Sequence, residues 1–318
     1  MQDKRFGIRY IKIHFCIEYL EDSRVPKYKA SALRGGMGEM LLRANCIRNR
    51  QCEQCDFETE CIVRRMMYSK MEIQPAFMSK GDSVGYVIEC EDYHDTFAAG
   101  EQMQFQMLLF GKTIVYFNQF LNAFYALGQQ GYGKEHARYV IRSISNTTGQ
   151  PILFGNDIQM EHYQVKTVAD YVDYRMEQMK KSFDGNLQLK FQSPLSIRIQ
   201  GNLLEKFQTE AVINALRRRM YILDCFEGIA SEQMEVAAGI PRELMQEYRS
   251  VRVKRYSNRK QEKMALYGIE GTLMLAEVKE EWLPLFFVGE LIHIGKYTSF
   301  GFGRYRILTQ KEREENGK

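Results

Sequence analysis

The chain is most usefully read first from what it lacks. No run of 18 apolar residues occurs in its 318 positions, so it offers no transmembrane helix. The start, MQDKRFGIRYIKIHF, has no apolar core of the secretory type. There is no GxxxxGK[ST], and the glycine clusters stand between a helix and a strand, which excludes the P-loop and Rossmann phosphate sites. Only six prolines occur, against 45% hydrophobic and 26% charged residues, a globular composition with no disordered bulk. A net charge of +4 is too small to declare a nucleic-acid partner by itself. Histidine is scarce: His14, His94, His136, His162 and His293 are all there are. Seven cysteines without a secretion signal point to reduced thiols and a cytoplasmic protein.

What is present alternates strands and helices. Residues 6–20, FGIRYIKIHFCIEYL, have the period of a half-buried strand. A helix from about Ala30 to Ala44 follows, weakened by Gly35, Gly36 and Gly38; glycines so close together usually mark a close approach to the backbone. Strand candidates are MEIQPAFM, VGYVIEC and MQFQMLLF, then a helix from Thr113 to Leu127. The second half opens at the Gly185–Asn186 turn. It reads strand, long helix from Thr209, short helix near Arg242–Tyr248, two strands, helix, strand. The alternation is of the split βαβ, ferredoxin-like kind, and the first half has the same outline with insertions.

The halves echo each other. In both, an apolar helix ends in a glycine loop and then a strand: Gly131-Tyr132-Gly133-Lys134 and Gly301-Phe302-Gly303-Arg304. The expected fold is therefore α+β, two tandem ferredoxin-like domains over 1–185 and 186–318, the second with a glycine-rich loop at 289–304. That loop carries Lys296, Tyr297, Thr298, Ser299 and Arg304. Backbone N–H groups, cationic side chains and stacking rings together suit single-stranded RNA.

The first domain also carries CIRNRQCEQCDFETEC at 46–61, spaced C-x5-C-x2-C-x5-C. Cys46, Cys52, Cys55 and Cys61 could surround one ion tetrahedrally, with structural zinc first and an iron–sulfur cluster also open. A closed four-thiolate site would be scaffolding, not catalysis.

Three segments carry a family resemblance. FQSPLSIRIQGNL, VRVKRYSNRKQEKMALYGIEGTLML and above all VGELIHIGKYTSFGFGRYRI are similar to those of the RAMP-superfamily CRISPR repeat endoribonucleases, the Cas6 family. ALRGGMGEMLLRANC with its four-cysteine loop resembles a subgroup of that family. The resemblance implies binding of CRISPR repeat RNA and metal-independent cleavage to 2′,3′-cyclic phosphate and 5′-hydroxyl ends. It implies RNA, and other CRISPR effector subunits, as partners, with no membrane and no DNA.

Such cleavage needs a base, an acid and cations around the phosphorane. His293, beside the glycine loop, ranks first, with Lys296 and Tyr28 as further catalytic candidates; His136, in the matching loop of the first half, ranks second among the histidines. Many family members place a histidine or tyrosine near the first helix. Here no histidine lies between 14 and 94, and Tyr28 is the tyrosine available. Arg255, Arg259 and Lys260 of a basic hairpin, with Lys296, Tyr297, Ser299, Arg304 and Lys134, are the expected RNA contacts. The alternative is a non-catalytic RAMP subunit that binds RNA within an interference complex.

Overall fold

The computed structural model describes residues 6–68, 71, 74–78, 84–154, 157–180, 182–229, 239–257, 262–309 and 312. The first half contains β1 (Arg9–Tyr19), β2 (Ser23–Arg24), α1 (Lys29–Asn45), α2 (Ile62–Met67), β3 (Tyr86–Glu89), β4 (Thr96–Phe97) and β5 (Gln102–Phe110). It continues with α3 (Phe117–Gln130), β6 (Tyr139–Ser145), β7 (Pro151–Phe154), β8 (Asp157–Ile158), β9 (Lys166–Thr167) and α4 (Val168–Met179). The second half contains β10 (Leu187–Leu195), β11 (Arg198–Ile199), β12 (Asn202–Leu203), α5 (Thr209–Glu227), β13 (Arg242–Ser257), β14 (Glu262–Ala276), α6 (Leu283–Ile292) and β15 (Tyr305–Ile307).

The main sheets have the same antiparallel plan. In the first, the order β3-β5-β1-β6 continues into β7 and β8; in the second it is β13-β14-β10-β15. Counting the main strands of each half from its start, both orders are 2-3-1-4, the ferredoxin-like arrangement of a βαββαβ chain. The α+β expectation holds.

Two local expectations fail. The segment Arg242–Tyr248 is strand, the first part of a β13 of 16 residues. Its Glu, Leu, Met and Gln favour helix locally, but pairing with β14, from Arg242↔Ala276 to Ser257↔Glu262, satisfies the backbone instead. Of MEIQPAFM, residues 72 and 73 lie outside the described residues, and Pro75–Met78 closes a turn, with the Met78 amide donating to the Pro75 carbonyl.

β1 has two contrasting faces. Ile11, Ile13, Phe15, Ile17 and Tyr19 point into a core beneath α1 and α3. On its other face Tyr10 joins Val87, Leu108 and Phe110 in a second core, shared with α4, α5, α6 and β10. The halves are thus joined by buried apolar surface, the dominant favourable term in folding. An ion pair also ties the first half to the second: Arg175 of α4 donates to both carboxylate oxygens of Glu290 in α6 (2.8 and 3.1 Å) and to the Ile307 carbonyl of β15 (3.1 Å).

Candidate functional site

The glycine loop is a clasp. After α6 the chain turns at His293 (φ +56°) and folds back on itself. The amides of Ile294, Lys296, Phe300, Gly301, Phe302 and Gly303 donate to carbonyls of Gly303, Ser196, Tyr297, Thr298, Tyr297 and Pro194 respectively. The Arg304 amide donates to Ser193 Oγ (2.9 Å). These seven donors are consumed within the protein and do not face an RNA. The glycines serve close packing instead. A Cβ on Gly303 would collide with the Ile294 carbonyl, and Gly303 has φ +73°, where L residues are strained.

His293 is the main correction. It is 0% exposed. Its Nε2 donates to Glu89 Oε1 (2.9 Å), and its Nδ1 lies 2.9 Å from the Phe302 carbonyl oxygen. Glu89, at the end of β3, also accepts from Lys12 Nζ (2.9 Å), and Arg304 lies near it (3.8 Å). The histidine therefore ties the loop to the first sheet and presents no ring nitrogen to a substrate. A buried polar group must be hydrogen-bonded, and this pairing satisfies histidine and carboxylate together.

The electrostatics give this tie a pH signature. Burial lowers the His293 pKa, only partly offset by the Glu89 hydrogen bond and charge. Burial alone would raise that of Glu89, but Lys12, His293 and Arg304 hold it well below the usual carboxylate range. Both groups bind protons more weakly folded than unfolded, so both contributions to stability fade as pH falls. The His293 contribution is complete above its unfolded pKa of about 6.5, and that of Glu89 above about 4.3. Melting temperature is expected to decline below roughly pH 6.5 and more steeply below roughly pH 4.3. Thermal melts from acid to neutral pH, wild type beside Glu89→Gln, check this; a variant as acid-sensitive as wild type would clear Glu89.

The other candidates divide. Ser299 is buried and cannot reach RNA. Arg304 is 17% exposed in its side chain and pairs with Glu91, so it helps hold the loop. Tyr297 is half-buried, its ring edge-on to Phe300 and Phe302. Lys296 and Lys134 are exposed. His136 is exposed too, at a positive φ of 54°. Gly133 packs against Pro26 and Gly301 against Ala30, so the two glycine loops flank the entry to α1, where Tyr28 sits. Arg255 has its guanidinium carbon 4.4 Å from the Phe300 ring centroid. Arg259 and Lys260 lie outside the described residues.

Tyr28 is the candidate that the fold places best. An open groove of about 500 Å³ is lined by Lys27, Tyr28 and Tyr93 of the first half and by Lys190, Gln192, Glu247, Tyr248, Arg249, Glu270 and Thr272 of the second. Tyr28 packs edge-on to Tyr93, with ring centroids 5.8 Å apart. Burial, then the charge and hydrogen bond of Glu270, raise its pKa, which keeps the phenol protonated at neutral pH. Glu270 in turn accepts from Arg249 (2.9 Å). Behind the groove the buried ammonium of Lys29 donates to the Asp92 carbonyl (2.8 Å) and to that of His94, fixing the start of α1. Next to Tyr93, His94 is exposed. Lys27, Tyr93, Arg249 and Glu270 were not legible as site residues, because three separate segments must fold before they meet.

The cysteine loop does not fit the metal it was expected to hold. Cys46, Cys52, Cys55 and Cys61 are free and half-exposed, and Cys46 Sγ accepts from the Arg50 amide (3.2 Å). Among the described residues no group of three or more His, Cys, Asp or Glu is placed to hold a metal ion, whereas a structural zinc site needs four ligands converging near 2.3 Å. Also among the described residues, no helix is long and apolar enough to cross a membrane.

Comparison with known proteins completes the picture. Residues 189–305 match the family model of the CRISPR-associated endoribonuclease Cas6. Residues 8–168 match a separate family model described as an N-terminal domain. No curated protein matches the chain. Among solved structures, a chain of a partial Cas6-RT-Cas1–Cas2 complex aligns over 95% of this chain with TM-score 0.57 and 9% identity. This chain spans 46% of that one, slightly under half its length. A Thermus thermophilus Cas6 solved as a product complex aligns over 94% of this chain and 99% of its own, with TM-score 0.51 and 12% identity. Identities so low establish a shared fold and nothing finer. The match to the CRISPR-associated endoribonuclease Cas6 family is thus carried by residues 189–305, on a chain of two like-ordered sheets whose first half matches a family model of its own.

Proposed function

We propose that the chain binds the repeat of a precursor CRISPR RNA and cuts it without metal, by attack of a 2′-hydroxyl on the adjacent phosphate. The products are a 2′,3′-cyclic phosphate and a 5′-hydroxyl end. The observation that carries this reading is the groove where Tyr28 meets Glu270 and the cations Lys27, Lys190 and Arg249. The Glu270 carboxylate in the same groove can take the proton of the attacking 2′-hydroxyl and the protonated Tyr28 phenol can donate to the leaving 5′-oxygen, while the cations offset the charge that grows on the phosphorane. On the neighbouring strand β13, Arg252 and Lys254 are exposed and extend positive charge away from the groove. Of the earlier catalytic trio, Tyr28 stays, Lys296 is an accessible cation outside the groove lining, and His293 leaves. The expected partners are repeat RNA and other CRISPR effector subunits, in the cytoplasm.

The burial of His293 favours one other reading, a RAMP subunit that binds RNA without cutting it. Incubation of the cognate repeat RNA with the protein in EDTA separates the two. Cleavage to a cyclic phosphate is the expected result. Tight binding with no cut, in EDTA or in magnesium, would make this chain the non-catalytic subunit.

A further inference from the structure

Two features remain unexplained by the groove. The first is Phe300, whose ring centroid lies 4.4 Å from the guanidinium carbon of Arg34 in α1 and 4.4 Å from that of Arg255 in β13. Each contact is favourable alone, yet the two cations oppose one another. Burial and the charge of Arg34 lower the Arg255 pKa, and the Tyr297 hydroxyl opposes them. Two like charges gathered on one ring from three distant segments gain most if an anion sits between their donor edges. Guanidinium forks match phosphate oxygens in pairs.

The second feature is Gly35. Glycine inside a helix costs stability relative to alanine. Gly36 and Gly38 have a packing reason: a Cβ there would come within 2.5 Å of Leu127 and 2.7 Å of Met67. A Cβ on Gly35 would meet nothing within 4 Å. The protein itself gives no reason for glycine at that point, immediately after Arg34.

We infer that Arg34, Phe300 and Arg255 form a cradle for one phosphodiester of the bound RNA, whose backbone passes the bare surface of α1 at Gly35. The inference rests on the RNA-binding reading above and deepens it. Phe300 and Tyr28 belong to one apolar cluster with Phe302, Val251, Val253 and Leu266, and both line the small cleft that also touches Arg304 and Ser193. The cradled phosphate is thus a near neighbour of the one at Tyr28.

The test is binding of a labelled 20-nucleotide uridylate RNA over a series of KCl concentrations, with a melting curve for every protein. Each lost phosphate contact lowers the slope of log affinity against log salt by about 0.7 for a single strand. Arg34→Gln and Arg255→Gln share that one contact, so each is expected to lose a part of that slope, up to about 0.7. Gly35→Leu is expected to raise the melting temperature, because leucine is the better helix former, and yet to weaken binding about tenfold or more, since the side chain fills the path of the RNA. Opposite signs in the two readouts keep the test free of misfolding. If wild type binds the RNA and all three variants match its slope and affinity, the cradle is wrong and the RNA reading stands. If wild type binds no uridylate RNA at any salt, the cradle, a site for phosphate of any sequence, is overturned, and the RNA reading is decided by the cognate-repeat assay above.

Discussion

Tyr28→Phe is expected to slow cleavage of the repeat RNA about 100-fold or more, the usual scale for losing a general acid or base, with RNA affinity changed by no more than roughly threefold. The substitution deletes one oxygen and keeps the ring, so the packing of Tyr28 against Tyr93 survives. What goes is the hydroxyl bonded to Glu270, and with it the protonated donor in the groove. Glu270 keeps Arg249 as partner, which limits any loss of stability. Single-turnover cleavage with enzyme in excess measures the chemical step directly. A rate within a few-fold of wild type would remove Tyr28 from the mechanism and turn attention to exposed His94 beside the same groove.

His293→Ala is expected to act on the fold. It leaves a buried carboxylate, Glu89, without one of its hydrogen bonds and opens a cavity at a site that is 0% exposed. Charged hydrogen bonds and unsatisfied buried groups of this kind cost about 3 kcal/mol. At roughly 2–4 °C per kcal/mol for a chain of this class, the melting temperature should drop by about 10 °C. The cleavage rate per folded molecule should stay near wild type at low temperature, because no ring nitrogen faces the groove. An unchanged melting temperature with a 100-fold slower cut would return His293 to the catalytic set. His293→Gln, which can still donate to Glu89, should recover part of the stability and so marks the role as structural.

Much of this architecture is legible along the chain because it depends on local pattern. The alternation of β1 and the apolar spacing of α3 follow from burying one face of each element. The glycine loop could be located, since Gly295, Gly301 and Gly303 all take positive φ, a conformation glycine adopts at little cost. The loop's purpose could not. A glycine-rich polar segment is equally suited to an anion and to a tight clasp, and the choice depends on which carbonyls lie within reach of its amides. Here Pro194 and Ser196 of the other strand segment take them. The same ambiguity misplaced Arg242–Tyr248, whose side chains suit a helix until β14 lies alongside.

By itself, then, the sequence determined the repeated strand–helix order, the basic strand and the Cas6 likeness of residues 189–305, because each is written in neighbouring residues. Tertiary structure decided which histidine is buried, which tyrosine meets a carboxylate, and that Arg34, Arg255 and Phe300 share one point in space. Those outcomes depend on contacts between residues far apart in the chain: Glu89 and His293 are 204 positions apart. Burial and neighbouring charge, which set what a titratable group can do, come into being only when such distant segments close on one another.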